Sequence, residues 1–282
     1  MTFHHIALFG RPGKNITETL TDVIAYLRKK NRNVCIEQNT AKMLLKNDLP
    51  TFSENDIPNT VDLIMVVGGD GSLLNAAHCA LPHDLPVLGI NRGRLGFLTD
   101  IHPNELSKMD AVLDGKYITE NRFLLSAKNG KDLGVALNDV VLLPGEAQLI
   151  EFDIYINDQF VCQQRADGLI IATPTGSTAY ALSGGGPILH PHLSAIVLVP
   201  MFPHTLSNRP IVIDSNAKIE LKISDRNETA PFLSCDGQHR IEIKPGAHIV
   251  IEKNKKTLKL IHPESYEYFA TLREKLGWQT VH

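Results

Sequence analysis

Residues 61–77, Val-Asp-Leu-Ile-Met-Val-Val-Gly-Gly-Asp-Gly-Ser-Leu-Leu-Asn-Ala-Ala, decide the fold of this chain. Their first seven residues are almost all aliphatic, which is typical of a buried parallel strand, and their Leu- and Ala-rich end predicts a helix. Gly68, Gly69 and Gly71 form the turn between the two. Glycines without Cβ let the backbone approach a ligand closely, so this turn is suited to hold anionic oxygens at a helix N-terminus.

The same turn carries one carboxylate, Asp70. An acid beside a phosphate site repels the ligand, so its presence indicates a use, either to accept a proton or to hold a metal ion. Both uses belong to phosphoryl transfer. The alternative is an ordinary strand-to-helix turn in which Asp70 caps the helix. Short glycine motifs occur by chance, and the motif alone leaves both interpretations open.

Composition predicts a two-domain cytoplasmic enzyme. The chain has 282 residues, 43% of them hydrophobic, and a formal net charge of -3. This balance gives no basic footprint for nucleic acid. No run approaches the ~20 apolar residues of a membrane span, and residues 1–5 lack the basic start of a signal peptide. Four cysteines far apart in sequence predict reduced thiols. We therefore expect no nucleic-acid partner and no membrane partner.

The first third of the chain alternates strand and helix patterns. Strands are predicted at residues 5–9, 34–36 and 86–90 in addition to the run before Gly68, and residues 17–30 show one apolar helix face. This rhythm favours a Rossmann-like α/β domain with a doubly wound parallel sheet. Ligands of such sheets bind beyond the carboxyl ends of the strands, where Asp70 falls.

The pattern changes near residue 117. Polar and apolar residues alternate in residues 151–156, 218–223, 240–244 and 257–261, which predicts antiparallel strands of an all-β sandwich. Residues 265–276 show helical spacing before Gly277, and this C-terminal helix is expected to return to the first domain. The predicted division is an α/β domain at 1–116, a β-rich domain at 117–261, and residues 262–282 packed on the first domain.

Residues 173–183, Thr-Pro-Thr-Gly-Ser-Thr-Ala-Tyr-Ala-Leu-Ser, form the second informative region. Hydroxyls beside one aromatic ring offer the directional hydrogen bonds and flat apolar face that a base and ribose require. The alternative is a Pro-Thr-Gly turn with Ser177 as a helix cap and Tyr180 in the core. Composition alone favours this alternative slightly.

Five blocks taken together resemble, in order, the signature blocks of bacterial NAD kinases. They are Gly68-Gly69-Asp70-Gly71, Asn138-Asp139, Asp167-Gly168 with residues 173–180, residues 203–207 with Arg209-Pro210, and Asp236-Gly237-Gln238. The first block is shared with phosphofructokinases and with diacylglycerol and sphingosine kinases. The block at 173–180 is much more specific, and it overrides the cap interpretation there.

The resemblance implies transfer of a phosphoryl group from ATP or polyphosphate to the 2'-hydroxyl of the adenosine ribose of NAD, giving NADP. It also implies a divalent cation, Mg²⁺, held mainly through substrate phosphates rather than by protein ligands, and a homodimer or homotetramer. Asp70 is the implied catalytic carboxylate. The implied binding residues are Gly68, Gly69, Gly71, Phe97, Asn138, Asp139, Arg165, Asp167, Thr178, Ala179, Tyr180, Ala181, Leu182, Ser183 and Gln238.

Several of these residues have structural alternatives. Asn138-Asp139 is also typical of a bulge or turn, and Asp236-Gly237 of a hairpin. Arg165 and Asp167 also suit an ion pair with each other, and Phe97 a core position. The family commonly has Glu where this chain has Asp139. Two rival functions stay open, namely another kinase of the same superfamily and a nucleotide-binding regulator without catalysis.

Overall fold

The structure, a computed structural model, describes residues 2–13, 16–92, 96–145, 149–205 and 207–278. The chain divides into two compact units. The first unit consists of Met1–Asn121 and Leu258–His282, and the second unit is Arg122–Thr257.

The first unit is an α/β layer structure. Its elements are β1 (His5–Gly10), α1 (Ile16–Lys29), β2 (Asn33–Glu37), α2 (Gln38–Ala41), β3 (Thr51–Phe52), β4 (Leu63–Gly68), α3 (Asp70–Ala80), β5 (Val87–Asn91), α4 (Lys108–Leu113), the last residues of β17 (His248–His262) and α6 (Tyr268–Leu276). The strands are parallel in the order β17-β5-β4-β1-β2-β3. This order places the ends of β4 and β5 side by side, with Gly68 paired to Asn91.

Burial explains the form of these elements. All six residues of β4 are buried, as its uninterrupted aliphatic run requires of a strand covered on both faces. Helix α1 buries the stripe Leu20, Val23, Ile24 and Leu27 against the sheet. Glu18 lies in its first turn and Arg28 in its last, so the charges complement the helix dipole.

The second unit is built from antiparallel strands. Its elements are β6 (Ile118–Asn129), β7 (Lys131–Ala136), β8 (Asp139–Leu143), β9 (Ile150–Ile156), β10 (Gln159–Ala166), β11 (Gly168–Ala172), α5 (Tyr180–Ser183), β12 (Ala195–Met201), β13 (Ile211–Asp214), β14 (Ile219–Ile223), β15 (Phe232–Cys235), β16 (His239–Glu242) and the first part of β17. One layer contains β10-β9-β14-β17, with β6 and β7 alongside. The other layer has the order β13-β12-β11-β8-β15-β16.

A single hydrophobic core joins the two layers of this sandwich. Phe152, Ile154 and Leu221 contribute from the first layer, and Leu169 and Leu198 from the second. Alternation along β9 places every second residue in this core, as its sequence pattern predicts.

The predicted fold class is confirmed, and individual elements differ from the predictions at their ends. Helix α3 begins at Asp70, three residues before the predicted start after Ser72. Helix α6 begins at Tyr268 rather than at residue 265, and Gly277 ends it with φ 66°, a left-handed conformation that favours glycine. Among the described residues, none of the helices is both long enough and apolar enough to cross a membrane.

The sandwich core generates a stability prediction. Phe152 has no exposed surface, whereas Phe160 on the neighbouring strand is 58% exposed. Because a buried ring leaves a cavity when it is truncated, Phe152→Ala is expected to lower the free energy of unfolding by about 3–5 kcal/mol. The same change at Phe160 is the matched control and should cost less than about 1 kcal/mol. Urea unfolding followed by circular dichroism measures both, and equal losses would contradict this assignment of the core.

Candidate active site

The Gly-Gly-Asp-Gly turn of the first unit joins β4 to α3. Gly69 is the N-cap residue and Asp70 is the first helical residue. A Cβ on Gly68 would lie 2.3 Å from the Ser72 hydroxyl, so only glycine fits where the chain turns into the helix. Asp70 therefore stands at the carboxyl end of the parallel sheet and at the positive end of the α3 dipole, where anionic groups are stabilised.

The side chain of Asp70 does not cap its helix, so the helix-cap alternative is wrong. Its Oδ2 accepts the backbone N–H of Phe97 and its Oδ1 accepts that of Leu98, each at 2.9 Å. Both carboxylate oxygens are thus aimed by the loop that follows β5. Each oxygen keeps a second lone pair that can accept a proton from a substrate.

Gly96 makes this contact sterically feasible. A Cβ at Gly96 would lie 2.2 Å from Asp70 Oδ1 and 2.3 Å from the Thr99 hydroxyl. Any other residue would push the carboxylate away from the two amides that hold it. Phe97 itself is half-buried, with the Lys275 ammonium 5.8 Å from its ring centroid. The preceding residues Arg94 and Leu95 lie outside the described residues.

A second carboxylate organises the predicted site of the second unit. Asp236 accepts the backbone N–H groups of Leu137, Asn138 and Asp139 at 2.7, 2.7 and 3.1 Å. Asp236 and Gly237 have φ 53° and 67°, positive angles that tight hairpin turns use, and with Gln238 they lie between Cys235 of β15 and its partner His239 of β16. The hairpin interpretation of Asp236-Gly237 is confirmed, and the same turn fixes the segment that carries Asn138.

The turn that begins at Thr173 holds Asn138 from the other side. The Asn138 carbonyl accepts the backbone N–H of Thr173 at 2.9 Å, and the Thr173 hydroxyl donates to Leu137 O at 2.6 Å. A Cβ on Gly176 would lie 2.1 Å from the Asn138 carbonyl oxygen, so this approach also needs glycine. Asn138 lies at the bend between β7 and β8, as the turn alternative predicts. Its side-chain Oδ1 is buried and has no hydrogen-bond partner among the described residues. This oxygen is therefore available to accept a hydrogen bond from a ligand.

Asp139 is buried and electrostatically disfavoured as an anion. Burial, and secondly the negative charge of Asp236, raise the pKa of Asp139 to about 7. Strongly raised carboxyl pKa values are typical of functional sites. Asp139 is only 5% exposed.

Two cavities bring part of the predicted set together. One of about 260 Å³ is lined by Asn138, Asp139, Ala179, Tyr180 and Asp236, among others. One of about 440 Å³ is lined by Tyr180, Ser183 and Arg209, among others. Tyr180 contributes to both and is 47% exposed. The core alternative for Tyr180 is wrong.

The other predicted residues of this unit line neither cavity. Ala181 is fully buried in the hydrophobic cluster below, and the Thr178 hydroxyl donates to the Thr175 carbonyl at 3.2 Å. Gln238 and Arg165 are exposed. Leu182 and Asp167 are half-buried. The roles of all these residues stay predictions.

The alternative role of Ser177 as a helix cap is wrong. Its hydroxyl donates to the Pro174 carbonyl at 2.6 Å and accepts the Leu189 N–H at 2.9 Å. The residue is buried and ties two loops together. Leu206, within the fourth signature block, lies outside the described residues.

Sequence reasoning gave no role to two residues that shape the site, although both lie in the signature blocks. Asp236 and Thr173 act through the backbone of the segment that carries Asn138. In the first unit, a cavity of about 670 Å³ is lined by Asn91, Asp100 and Tyr266, among others, and none of the predicted site residues lines it.

A carboxylate aimed from a glycine turn at the end of a parallel sheet, in a chain that adds a β-sandwich with two polar-lined cavities, is the arrangement expected of a two-domain phosphotransferase. Comparison with known proteins gives the family. The profile of the ATP-NAD kinase N-terminal domain matches residues 6–117, and that of the ATP-NAD kinase C-terminal domain matches residues 137–263. The chain belongs to the NAD kinase family.

Individual relatives agree with the profiles. The chain is 58% identical to an NAD kinase of Coxiella burnetii, over 99% of this chain and 95% of that one. It is 51% identical to an NAD kinase of Chromohalobacter salexigens, over 99% and 98%. Two solved structures are also similar, each at 26% identity. They are yeast NADH kinase complexed with NADH (TM-score 0.87, 100% and 90% covered) and an Archaeoglobus fulgidus NAD kinase in complex with ATP (TM-score 0.73, 96% and 99% covered).

The raised pKa of Asp139 generates a pH prediction. Since its folded value of about 7 lies above the usual 3.8, folding favours the protonated form, and this acid lowers stability as the pH rises between those values. Asp139→Asn removes that penalty and should raise the free energy of unfolding near pH 8 by up to about 4 kcal/mol, with almost no gain near pH 4. Affinity for NAD should fall in the same variant.

Urea unfolding at several pH values and calorimetric titration with NAD measure both effects. The matched control is Asp153→Asn, a strand carboxylate of the same unit that accepts from Gln163 at the surface. A stability gain that does not depend on pH, or unchanged NAD affinity, would contradict the assignment of Asp139.

Proposed function

We propose that this chain transfers the γ-phosphoryl group of ATP to the 2'-hydroxyl of the adenosine ribose of NAD, with Asp70 as the general base. The proposal is carried by one observation, the Asp70 carboxylate fixed through both oxygens by the amides of Phe97 and Leu98. The curated relatives are named NAD kinases, which favours this reaction over other kinases of the superfamily and over a regulator without catalysis.

The chemistry follows from the weakness of an alcohol as a nucleophile at neutral pH. Asp70 accepts the proton of the 2'-hydroxyl as the new O–P bond forms. The bond from the γ-phosphorus to the bridging oxygen breaks, and ADP leaves with the electron pair. Asp70 then returns its proton to solvent. The loop amides keep the carboxylate in place throughout, so no reorganisation is needed as charge develops.

Binding of NAD falls to the second unit in this proposal. The buried Oδ1 of Asn138 accepts a hydrogen bond from the ligand, and Asp139 lies beside it. The exposed ring of Tyr180 offers an apolar face to a base, and Ser183 lines the adjoining cavity. A base and ribose need this combination of a flat surface and a few directional polar groups.

A divalent cation is part of the proposal. The described residues contain no group of three or more His, Cys, Asp or Glu side chains placed to hold a metal, and Mg²⁺ commonly binds through substrate phosphates with one or two carboxylates. When bound, Mg²⁺ neutralises phosphate charge. Turnover should stop with chelator and return with excess Mg²⁺.

The site of action and the assembly also belong to the proposal. All four cysteines are free thiols, as in proteins of a reducing cytoplasm. The edge strand β13 exposes Ile211 and Val212, a surface suited to pairing between copies of the chain. A homodimer or homotetramer is therefore expected, and sedimentation velocity measures it.

Asp70→Asn is expected to lower turnover by about 10²- to 10⁴-fold, the usual contribution of a positioned base. The assay combines NAD with Mg-ATP and detects NADP with a dehydrogenase strictly dependent on it. The amide also presents an N–H donor to one of the two loop amides, so Asp70→Asn disturbs the loop as well as the base.

Gly96→Ala separates these two effects, because it keeps the acid but moves the carboxylate and the loop amides apart. It should retain a pH-dependent residual rate that Asp70→Asn lacks. Loss of NAD binding without loss of fold in Asp70→Asn would make Asp70 a binding residue. No NADP from the unaltered protein with any phosphoryl donor and divalent ion would overturn the function itself.

A further inference from the structure

A buried ionic cluster lies in the first unit, outside the glycine turn. His262, the last residue of β17, has no exposed surface. Its Nδ1 lies 2.5 Å from Asp100 Oδ2, and its Nε2 lies 3.4 Å from Glu120 Oε2. The Tyr266 ring stacks on the imidazole with 3.9 Å between centroids. Both carboxylate side chains are only 7% exposed.

The charge balance of this cluster favours a protonated imidazole. Burial lowers the pKa of His262, but the hydrogen bonds and negative charges of Asp100 and Glu120 outweigh burial and raise it. A protonated imidazole offsets the negative charge of the buried Asp100 carboxylate, which would be costly to bury without compensation. Asp100 Oδ1 is buried with no hydrogen-bond partner, so within the described part of the chain His262 is the partner that holds this carboxylate.

Asp100 belongs to the same segment that holds Asp70. The backbone N–H of Asp100 donates to Gly89 O at 3.2 Å, and the N–H of Asn91 donates to Ile101 O at 2.8 Å. A Cβ on Gly89 would lie 2.8 Å from the Leu98 carbonyl oxygen. The segment 97–101 is therefore pressed along β5. The amides at its start hold Asp70, and the carboxylate near its end is held by His262.

We propose that His262 is a positioning residue for phosphoryl transfer. By holding Asp100 it fixes segment 97–101, and through the amides of Phe97 and Leu98 it fixes the Asp70 carboxylate. The inference rests on the proposed role of Asp70 as base. It assigns a task to a histidine that touches neither substrate nor the reacting atoms.

The test compares His262→Gln with His83→Gln, the same change at an exposed histidine of the same unit. His262→Gln keeps a hydrogen-bond donor for Asp100 and removes the positive charge. We expect kcat to fall about 10- to 100-fold, because small displacements of a reacting group cost this much, with KM for NAD within about twofold. His83→Gln should match the unaltered protein in both constants.

The pH profile distinguishes positioning from a merely structural role. His262 has a folded pKa above its usual 6.5, so its contribution to stability is complete below that value and is lost as the pH rises through the folded pKa. In the unaltered protein kcat should fall on the alkaline side as His262 loses its proton, and this limb should be absent in His262→Gln. Asp100→Asn should remove the same limb, and the double variant should be no worse than either single one.

A second measurement uses the unaltered protein, so it tests the inference even if His262→Gln does not fold. Nitrogen NMR of the unaltered protein with labelled histidine gives the pKa of the buried imidazole directly, and it must coincide with the alkaline limb of kcat. A mismatch, an unchanged kcat in His262→Gln, or a lower kcat with the limb intact would each overturn the inference. If Asp70→Asn lowers turnover and His262→Gln does not, only this inference falls. If Asp70→Asn leaves turnover unchanged, the base and its positioning fall together.

Discussion

The two hydrogen bonds from backbone amides to the Asp70 carboxylate are the constraint around which the first unit is arranged. In the proposed reaction this carboxylate would lie near phosphate oxygens that repel it, and an unrestrained side chain would rotate away from them. The amides of Phe97 and Leu98, one on each oxygen, oppose that rotation without adding a cationic side chain. The glycine turn places the acid, and the loop after β5 gives it direction.

This arrangement explains glycines that are distant in sequence from the glycine turn. The loop reaches Asp70 only because Gly96 has no Cβ, and it can lie along β5 only because Gly89 has none. Both positions would be read from sequence as ordinary loop and strand glycines. Glycine is needed at these two positions because other parts of the chain pack directly against the backbone, not because the backbone angle is unusual. Sequence rules for turns therefore do not identify them.

The second unit uses a carboxylate in the same way, to hold backbone amides from a remote segment. Asp236 accepts hydrogen bonds from the backbone amides of a segment far away in the sequence; Asn138, for example, precedes it by 98 residues. The sequence predicted the hairpin at Asp236-Gly237, the strands and the glycine turn, because periodicity and local propensity report which face is buried. It could not predict that Asp70 binds the amides of Phe97 and Leu98, or that His262 meets Asp100 across 162 residues. Those contacts depend on how the loops pack.

The two unfavourable features of the second unit are best understood together. Asn138 Oδ1 is a buried acceptor without a donor among the described residues, and Asp139 is a buried acid whose pKa is raised to about 7. Each costs stability in the free protein, and packing alone would favour an apolar residue at either place. A ligand that donates hydrogen bonds to Asn138 and Asp139 would remove both costs at once. The unsatisfied groups that destabilise the free protein would then strengthen ligand binding. The proposed ligand NAD carries ribose hydroxyl groups, which are donors of this kind. Because the pKa of Asp139 is raised to about 7, the benefit of such a ligand depends on pH. The protonated carboxyl has its own O–H, whereas the ionised carboxylate can only accept hydrogen bonds. Its affinity for a hydroxyl donor should therefore strengthen as the carboxyl loses its proton, in the same pH range in which the fold alone loses stability.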